Sequence, residues 1–217
     1  MRISESDAHP AHDARSRRRQ DKPVIGAQRI PPRAFLLAVP VLLALQALAL
    51  WAMGRVPMCT CGTIKLWQGV VHSAENSQQI FDWYSFTHVI HGFLFYFLFW
   101  LVLPRAPVAL RLVLAVLVEG GWELLENSDL IINRYRAETI SFDYFGDSIV
   151  NSISDTVTMM FGFTLAWLLP AWSVVALAVA IEIALAYLIH DNLTLNVIMI
   201  LHPVEAIKAW QATAPVR

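Results

Sequence analysis

The stretch FLLAVPVLLALQALALWAM, from Phe35 to Met53, holds nineteen residues without a charge. At about 1.5 Å of rise per residue it reaches the roughly 30 Å of a bilayer's hydrocarbon core, so it predicts a membrane-spanning helix. Four further stretches read the same way: Phe86 to Leu103, Leu112 to Glu126, Ile149 to Leu169 and Trp172 to Ile189. Taken as soluble core helices, they would leave too little polar sequence to cover them. Pro170 stands in a very short turn between the last two, which makes those spans an antiparallel hairpin. Beyond them, Leu193 to Leu201 is too short to cross and Pro203 interrupts the chain after it, so a C-terminal helix in the outer interface is expected. The predicted fold class is all-α: a polytopic membrane bundle of five transmembrane helices plus that interfacial helix.

Composition agrees. The chain has 217 residues, 57% apolar and 15% charged, with mean hydropathy +0.52. A soluble domain carries about 25% charged residues, so an ordinary soluble enzyme is excluded, as are a disordered protein and a disulfide-rich scaffold. Sixteen Lys and Arg against 17 Asp and Glu leave a net charge of −1, which argues against a nucleic-acid partner.

Charge is unevenly distributed. Residues 1–34 hold Arg2, Arg15, Arg17, Arg18, Arg19, Lys22, Arg29 and Arg33, half of all the Lys and Arg, and read as a disordered basic cytoplasmic tail before a membrane domain over 35–217. By the positive-inside rule the N-terminus is cytoplasmic, and five spans then put the C-terminus in the periplasm. The long polar lead and the lack of a small-residue cleavage site make the first span a retained anchor. Trp67, Trp83, Tyr84, Tyr135 and Tyr144 fall near the outer interface and Trp100, Trp167 and Trp172 near the inner one, as aromatic belts do.

Ionisable residues inside the spans are the informative ones, since each costs a few kcal/mol or more against lipid. Counted from the cytoplasmic helix ends, His91 and His88 lie about 18 and 22 Å up, Glu123 and Glu126 about 16 and 21 Å, and Asp155 about 21 Å. Spacing puts His88 with His91, Glu119 with Glu123 and Glu126, and Asp147 with Asn151 and Asp155, each set on one helical face. Residues 119–155 hold eight carboxylates against two Arg, a density that binds a cation, shares protons or pairs with the Arg side chains.

Plainer roles stand beside these. His88 and His91 fit hydrogen-bonded packing residues, Asp147 fits the N-cap of the fourth span, and Gly120-Gly121 fits close helix packing. Glu126, Asp129, Arg134 and Arg136 fit a solvated ion-pair network, and Glu182 fits a neutral carboxyl bonded to a neighbour. Cys59 and Cys61, outside on this topology, rank first as a strained disulfide, second as a soft-metal site and third as chance neighbours.

Cys59 to Gly62, Asn76 to Gln79, Asp82 to Ser85 with His88 and His91-Gly92, Glu119 to Glu123 with Glu126 to Ser128, Gly146 to Ile149 with Asn151 and Asp155, and His190 to Asn196 together resemble an uncharacterised family of small multi-pass inner-membrane proteins of alphaproteobacteria. The resemblance implies a cell-membrane location and supplies no activity. A fainter likeness, in layout only, is to VanZ-like membrane proteins, with Glu123, Arg134 and Asp147 with Asn151 in corresponding order; the Gly expected soon after the Asn is missing.

Two functions are compatible with these residues. One is a metal-dependent hydrolase or transferase acting at the outer face on a lipid-linked or phosphorylated substrate. His88, His91, Glu123 and Asp155 would hold Zn²⁺, Mn²⁺ or iron, Glu119, Glu126 and Asp147 would serve catalysis, and Arg134, Arg136 and Asn151 would bind substrate. The alternative is a non-enzymatic ion or proton carrier, or an assembly factor whose polar network holds the helices in place.

Overall fold

The computed structural model describes residues 32–139 and 144–214. Asp143 and the expected basic tail lie outside the described residues, except that Pro32, Arg33 and Ala34 already belong to the first helix. Eight helices make up the described residues: α1 (Pro32–Ala52), α2 (Ser85–Val102), α3 (Val108–Glu126), α4 (Asp129–Glu138), α5 (Ile149–Leu168), α6 (Ala171–Ile189), α7 (Leu193–Leu201) and α8 (Glu205–Gln211). Among them there is no sheet, only one isolated bridge between Trp67 and Phe81.

The five long helices coincide with the five apolar stretches. Two of them, α2 and α6, are long and apolar enough to cross a membrane by length and composition. α3 and α5 match them in length, with 19 and 20 residues, but each carries a buried polar face, Glu119 and Glu123 on α3 and Asn151, Ser152 and Asp155 on α5.

α2 packs most extensively on α5. A Cβ at Gly92 would meet the backbone carbonyl of Met159, and one at Gly162 would meet that of Val89, so the two backbones touch where the helices cross. Beside this crossing Phe99, Ala115, Val116, Met159 and Phe163 form a buried apolar cluster shared by α2, α3 and α5. The expectation that Gly120-Gly121 serves close packing is corrected: a Cβ at Gly120 would meet only the Gln46 side chain, at 3.5 Å, and one at Gly121 would meet nothing within 4 Å.

The segment 127–148, between the third and fourth predicted spans, contains α4. Its ten residues bury Ile131, Ile132 and Tyr135 on one face, with Asp129 in the first turn and Arg136 in the last, where each complements the helix dipole. The irregular segment 54–84 covers the start of α5: the carbonyls of Val56 and Pro57 accept from the N–H groups of Ile149 and Val150, which the helix itself leaves unpaired. The N-cap of α5 is Ser148, whose hydroxyl accepts from the Asn151 N–H at 3.1 Å, and not Asp147 as spacing suggested.

The C-terminal region forms two short helices broken at Pro203, in place of one. The Glu182 carboxylate, isolated in the sequence, accepts from the N–H groups of Leu193 and Thr194 at 3.0 and 3.1 Å and so satisfies the open N-terminus of α7. α6 itself turns an apolar face outward, with Trp172, Val175, Ile183 and Tyr187 all more than 60% exposed.

Candidate functional site

Three helices deliver the polar cluster. α2 carries His88 and His91, α3 carries Glu119, Glu123 and Glu126, and α5 carries Asn151, Ser152 and Asp155, the spacing of three and four turning each set inward. Glu119 is fully buried and is the hub: its Oε1 lies 2.6 Å from His88 Nδ1, and its Oε2 lies 3.1 Å from His91 Nδ1. His88 Nδ1 also lies 3.5 Å from Glu123 Oε1, and His88 Nε2 lies 3.8 Å from Asp155 Oδ2. Of the four side chains read as metal ligands, Glu123 and Asp155 lie within 4 Å of His88, and His91 is joined to His88 through Glu119, read as a base.

Two overlapping triads could each hold a metal ion: His88, His91 and Glu119, and His88, Glu123 and Glu126, with ligand atoms within 4.8 Å of one another. Asp155 stands apart from both and accepts from the Ser85 hydroxyl at 3.0 Å. Glu123 Oε2 accepts from Ser152 Oγ at 2.7 Å, while its Oε1 is buried with no hydrogen-bond partner. A buried carboxylate oxygen left open is the kind of atom a cation or a proton completes.

The network reaches α1 through Gln46, a residue the sequence reading passed over. Its Nε2 donates to Ser152 Oγ at 3.0 Å and its Oε1 accepts from Thr156 Oγ1 at 3.0 Å. One amide in an otherwise apolar helix, facing Ser152 and Thr156 one turn apart on α5, was the available signal.

Farther out, Asp147 bonds with Asn127 in both directions at 2.7 Å and accepts from Tyr144 at 3.1 Å, and Glu126 accepts from Tyr135 at 3.2 Å. Burial pushes Asp147 from 3.8 up to about 7, against the hydrogen bonds from Asn127 and Tyr144. Burial also raises the Tyr135 and Tyr144 phenols well above their usual range, so both remain neutral donors. These two tyrosines, expected in an aromatic belt, instead face the carboxylates, with ring centroids 5.4 Å apart.

A cavity of about 710 Å³ opens against the cluster. His88, His91, Glu126, Asp147 and Asp155 are on its wall, as are the apolar side chains of Leu94, Phe95, Val118 and Val197. The residues assigned to substrate are not. Arg134 donates to the Ile200 carbonyl at 3.0 Å and pairs with Glu138, and the Arg136 guanidinium lies 4.5 Å over the Phe145 ring. Asn151, 1% exposed, donates to the Gln79 carbonyl. The outer ion-pair network takes a different form too, since Asp129 pairs with Arg55 at 3.8 Å.

Cys59 and Cys61 are joined by a disulfide, with Cα atoms 5.2 Å apart, and Gln79 Nε2 approaches Cys61 Sγ at 3.4 Å.

Comparison with known proteins agrees with the resemblance in its coarser part, an uncharacterised family of alphaproteobacteria. Residues 50–213 match the family described as a protein of unknown function, DUF2585, and the chain belongs to that family. It is 56% identical to a UPF0314 protein of Rhizobium etli over 82% of this chain and 90% of the relative. It is 57% identical to one of Brucella anthropi over 81% and 89% of the two chains, and 52% identical to one of Sphingopyxis alaskensis over 83% and 96%. No solved structure matches the chain.

Proposed function

We propose that this is a multi-pass membrane protein without catalytic turnover, an assembly factor in which the buried His–carboxylate network binds a cation and holds the helices around a cavity open to the periplasm. The observation that carries this reading is the engagement of Glu119. A general base needs a lone pair turned toward substrate, and both Glu119 oxygens already face imidazole nitrogens. Glu126 and Asp147, the other groups considered for catalysis, are engaged by Tyr135, Tyr144 and Asn127.

The outward apolar face of α6 supports the bilayer as its partner, as does the exposure of Trp100, Trp167 and Trp172 at 51%, 52% and 73% at the end expected to be cytoplasmic. Phe99, Ala115, Val116, Met159 and Phe163 fill the interior on that same side. A dry plug there favours binding over carriage through the bundle.

Zn²⁺ suits mixed imidazole and carboxylate donors, and the open Glu123 Oε1 is where such an ion would gain a ligand. Elemental analysis of the purified chain beside the His88→Ala, His91→Ala double variant tests this. One divalent ion per chain is expected in the first and none in the second, with a lower thermal midpoint in the variant. Hydrolytic turnover lost in Glu119→Gln would overturn the non-enzymatic reading.

The 710 Å³ cavity favours a second reading, the metal-dependent hydrolase or transferase, because it gives an organic molecule room beside His88 and Asp155. In that reading Arg134 and Arg136 would have to leave Ile200 and Phe145 to meet a phosphate.

A further inference from the structure

The cavity has a chemical character that the metal centre does not use. No lysine or arginine is on its wall among the described residues; Glu126, Asp147 and Asp155 are, together with His72, His88 and His91. Aromatic rings are also present there, from Phe95, Trp122, Tyr135 and Tyr144. The polar end is built: Tyr135 donates to Glu126 and Tyr144 to Asp147, and the two rings meet edge to face. Glu123, 1% exposed, belongs to a group of possible ligands with Glu126 and His88, and its Oε1, without a hydrogen-bond partner, lies 3.5 Å from His88 Nδ1. Away from that end the wall turns apolar through Leu94, Val118 and Val197.

Carboxylates attract a positive headgroup, and π faces add to that attraction when the cation is an organic ammonium. An anion entering the same space would meet these carboxyl groups, while the imidazoles of His88 and His91 on the same wall are already turned to Glu119. We propose that the cavity is a binding site for an amphiphile with an ammonium headgroup, its head held by Glu126 and the rings of Tyr135 and Tyr144, with Asp147 beside them, and its chain lying along Leu94, Val118 and Val197. The site reaches beyond the candidate cation centre at His88, shares Glu126 with one of its two triads, and does not require an ion there.

The size fits. Pockets for small organic ligands span about 300–1,000 Å³, and a cavity of about 710 Å³ falls within that range. Val118 and Leu94 are themselves 43% and 52% exposed, so the apolar side of the cavity lies at the bundle's surface, where a chain could enter sideways.

The test uses the full chain in a neutral detergent, with thermal midpoint and tryptophan fluorescence as readouts. Dodecylammonium and dodecyltrimethylammonium are compared with dodecyl phosphate and dodecanol. Both ammonium amphiphiles should raise the midpoint and saturate at one per chain, and the phosphate and the alcohol should do neither. Tighter binding of the quaternary head would assign recognition chiefly to the rings, and tighter binding of the primary amine chiefly to the carboxylates. Glu126→Gln should weaken ammonium binding by about tenfold through the loss of charge. Val118→Trp, at a partly exposed position, should abolish it by filling the space. Equal stabilisation by dodecyl phosphate, or unchanged ammonium affinity in both variants, would overturn the proposal, and so would the absence of any saturable binding. Metal content measured on the same preparations separates the two ideas: ammonium binding without metal sinks only the cation centre, and metal without ammonium binding sinks only this site.

Discussion

Gly92 and Gly162 lie on opposite sides of the α2–α5 crossing, each leaving room for a backbone carbonyl of the other's helix, Met159 for Gly92 and Val89 for Gly162. That contact brings Ser85 and His88 on α2 to Asp155 on α5, at 3.0 and 3.8 Å. Gly92→Ala and Gly162→Ala should each destabilise the bundle by about 1–3 kcal/mol, since the atom struck is backbone and cannot rotate aside. Gly121→Ala is the control: with open space around it, it should be neutral or gain about 0.5–1 kcal/mol from helix propensity. Denaturation midpoints in detergent decide the matter, and a wild-type midpoint for Gly162→Ala would refute the crossing.

Glu119 makes a second prediction. Replacing it with Gln puts an N–H₂ group against one of the two imidazoles and removes the charge that both face. Glu119→Gln should therefore cost about 1.5–3 kcal/mol, the range for hydrogen bonds to charged groups. Glu205→Gln, on the exposed surface of α8, should change stability by less than about 0.5 kcal/mol. Equal effects of the two variants in the same melt would show that Glu119 does not hold the imidazoles.

What could be read from the sequence was what one helix carries by itself. Long apolar runs located α1, α2, α3, α5 and α6, and the three- and four-residue spacing of His88, Glu119 and Asp155 with their neighbours announced three faces that would meet. α4 was missed because its polar composition hides a short face of Ile131, Ile132 and Tyr135, which has meaning only once something covers it. The glycine crossing was missed because Gly120-Gly121 is conspicuous along the chain, while Gly92 and Gly162 matter only as a pair. Arg134 was read as a substrate ligand for the same reason: its partner is the Ile200 carbonyl, 66 residues away. Gln46 shows the limit from the other side, since its partners Ser152 and Thr156 are unremarkable alone.

Asp147 should make stability depend on pH. Burial raises its carboxyl from 3.8 to about 7 in the folded chain, with the Asp82 carboxylate adding in the same direction. A group held neutral by folding contributes stability that is complete below its unfolded value and is lost as pH rises through the folded value. The window runs from about pH 4 to about pH 7. Asp147→Asn keeps a group able to bond Asn127 but cannot ionise. Relative to wild type, its thermal midpoint should therefore rise as pH increases across that window and stay level above it. A constant difference between the two proteins from about pH 4 to about pH 8 would mean that Asp147 does not titrate there.

Orientation in the membrane is set by where positive charge sits. Eight Lys and Arg precede the first span, against two each in 54–85, 104–111 and 127–148. Of the pair in 104–111, Arg111 is held at the turn, donating to the Pro104 carbonyl at 2.7 Å. An N-terminus in the cytoplasm puts the segment after α2 in the cytoplasm with it, and puts the disulfide, the cavity, α4, α7 and α8 on or near the outer side, with α5 and α6 crossing and their short turn inside. Alkaline phosphatase is active only when exported, so fusions after Gly69, after Arg136 and at the C-terminus should be active, and a fusion after Arg105 should be inactive. Thiol labelling of whole cells checks the same arrangement independently, since Cys59 and Cys61 should react only after reductant is added. An inactive fusion at Gly69 together with an active one at Arg105 would invert the chain, turn the cavity toward the cytoplasm and place the cysteine pair in a reducing compartment, where its disulfide would not persist.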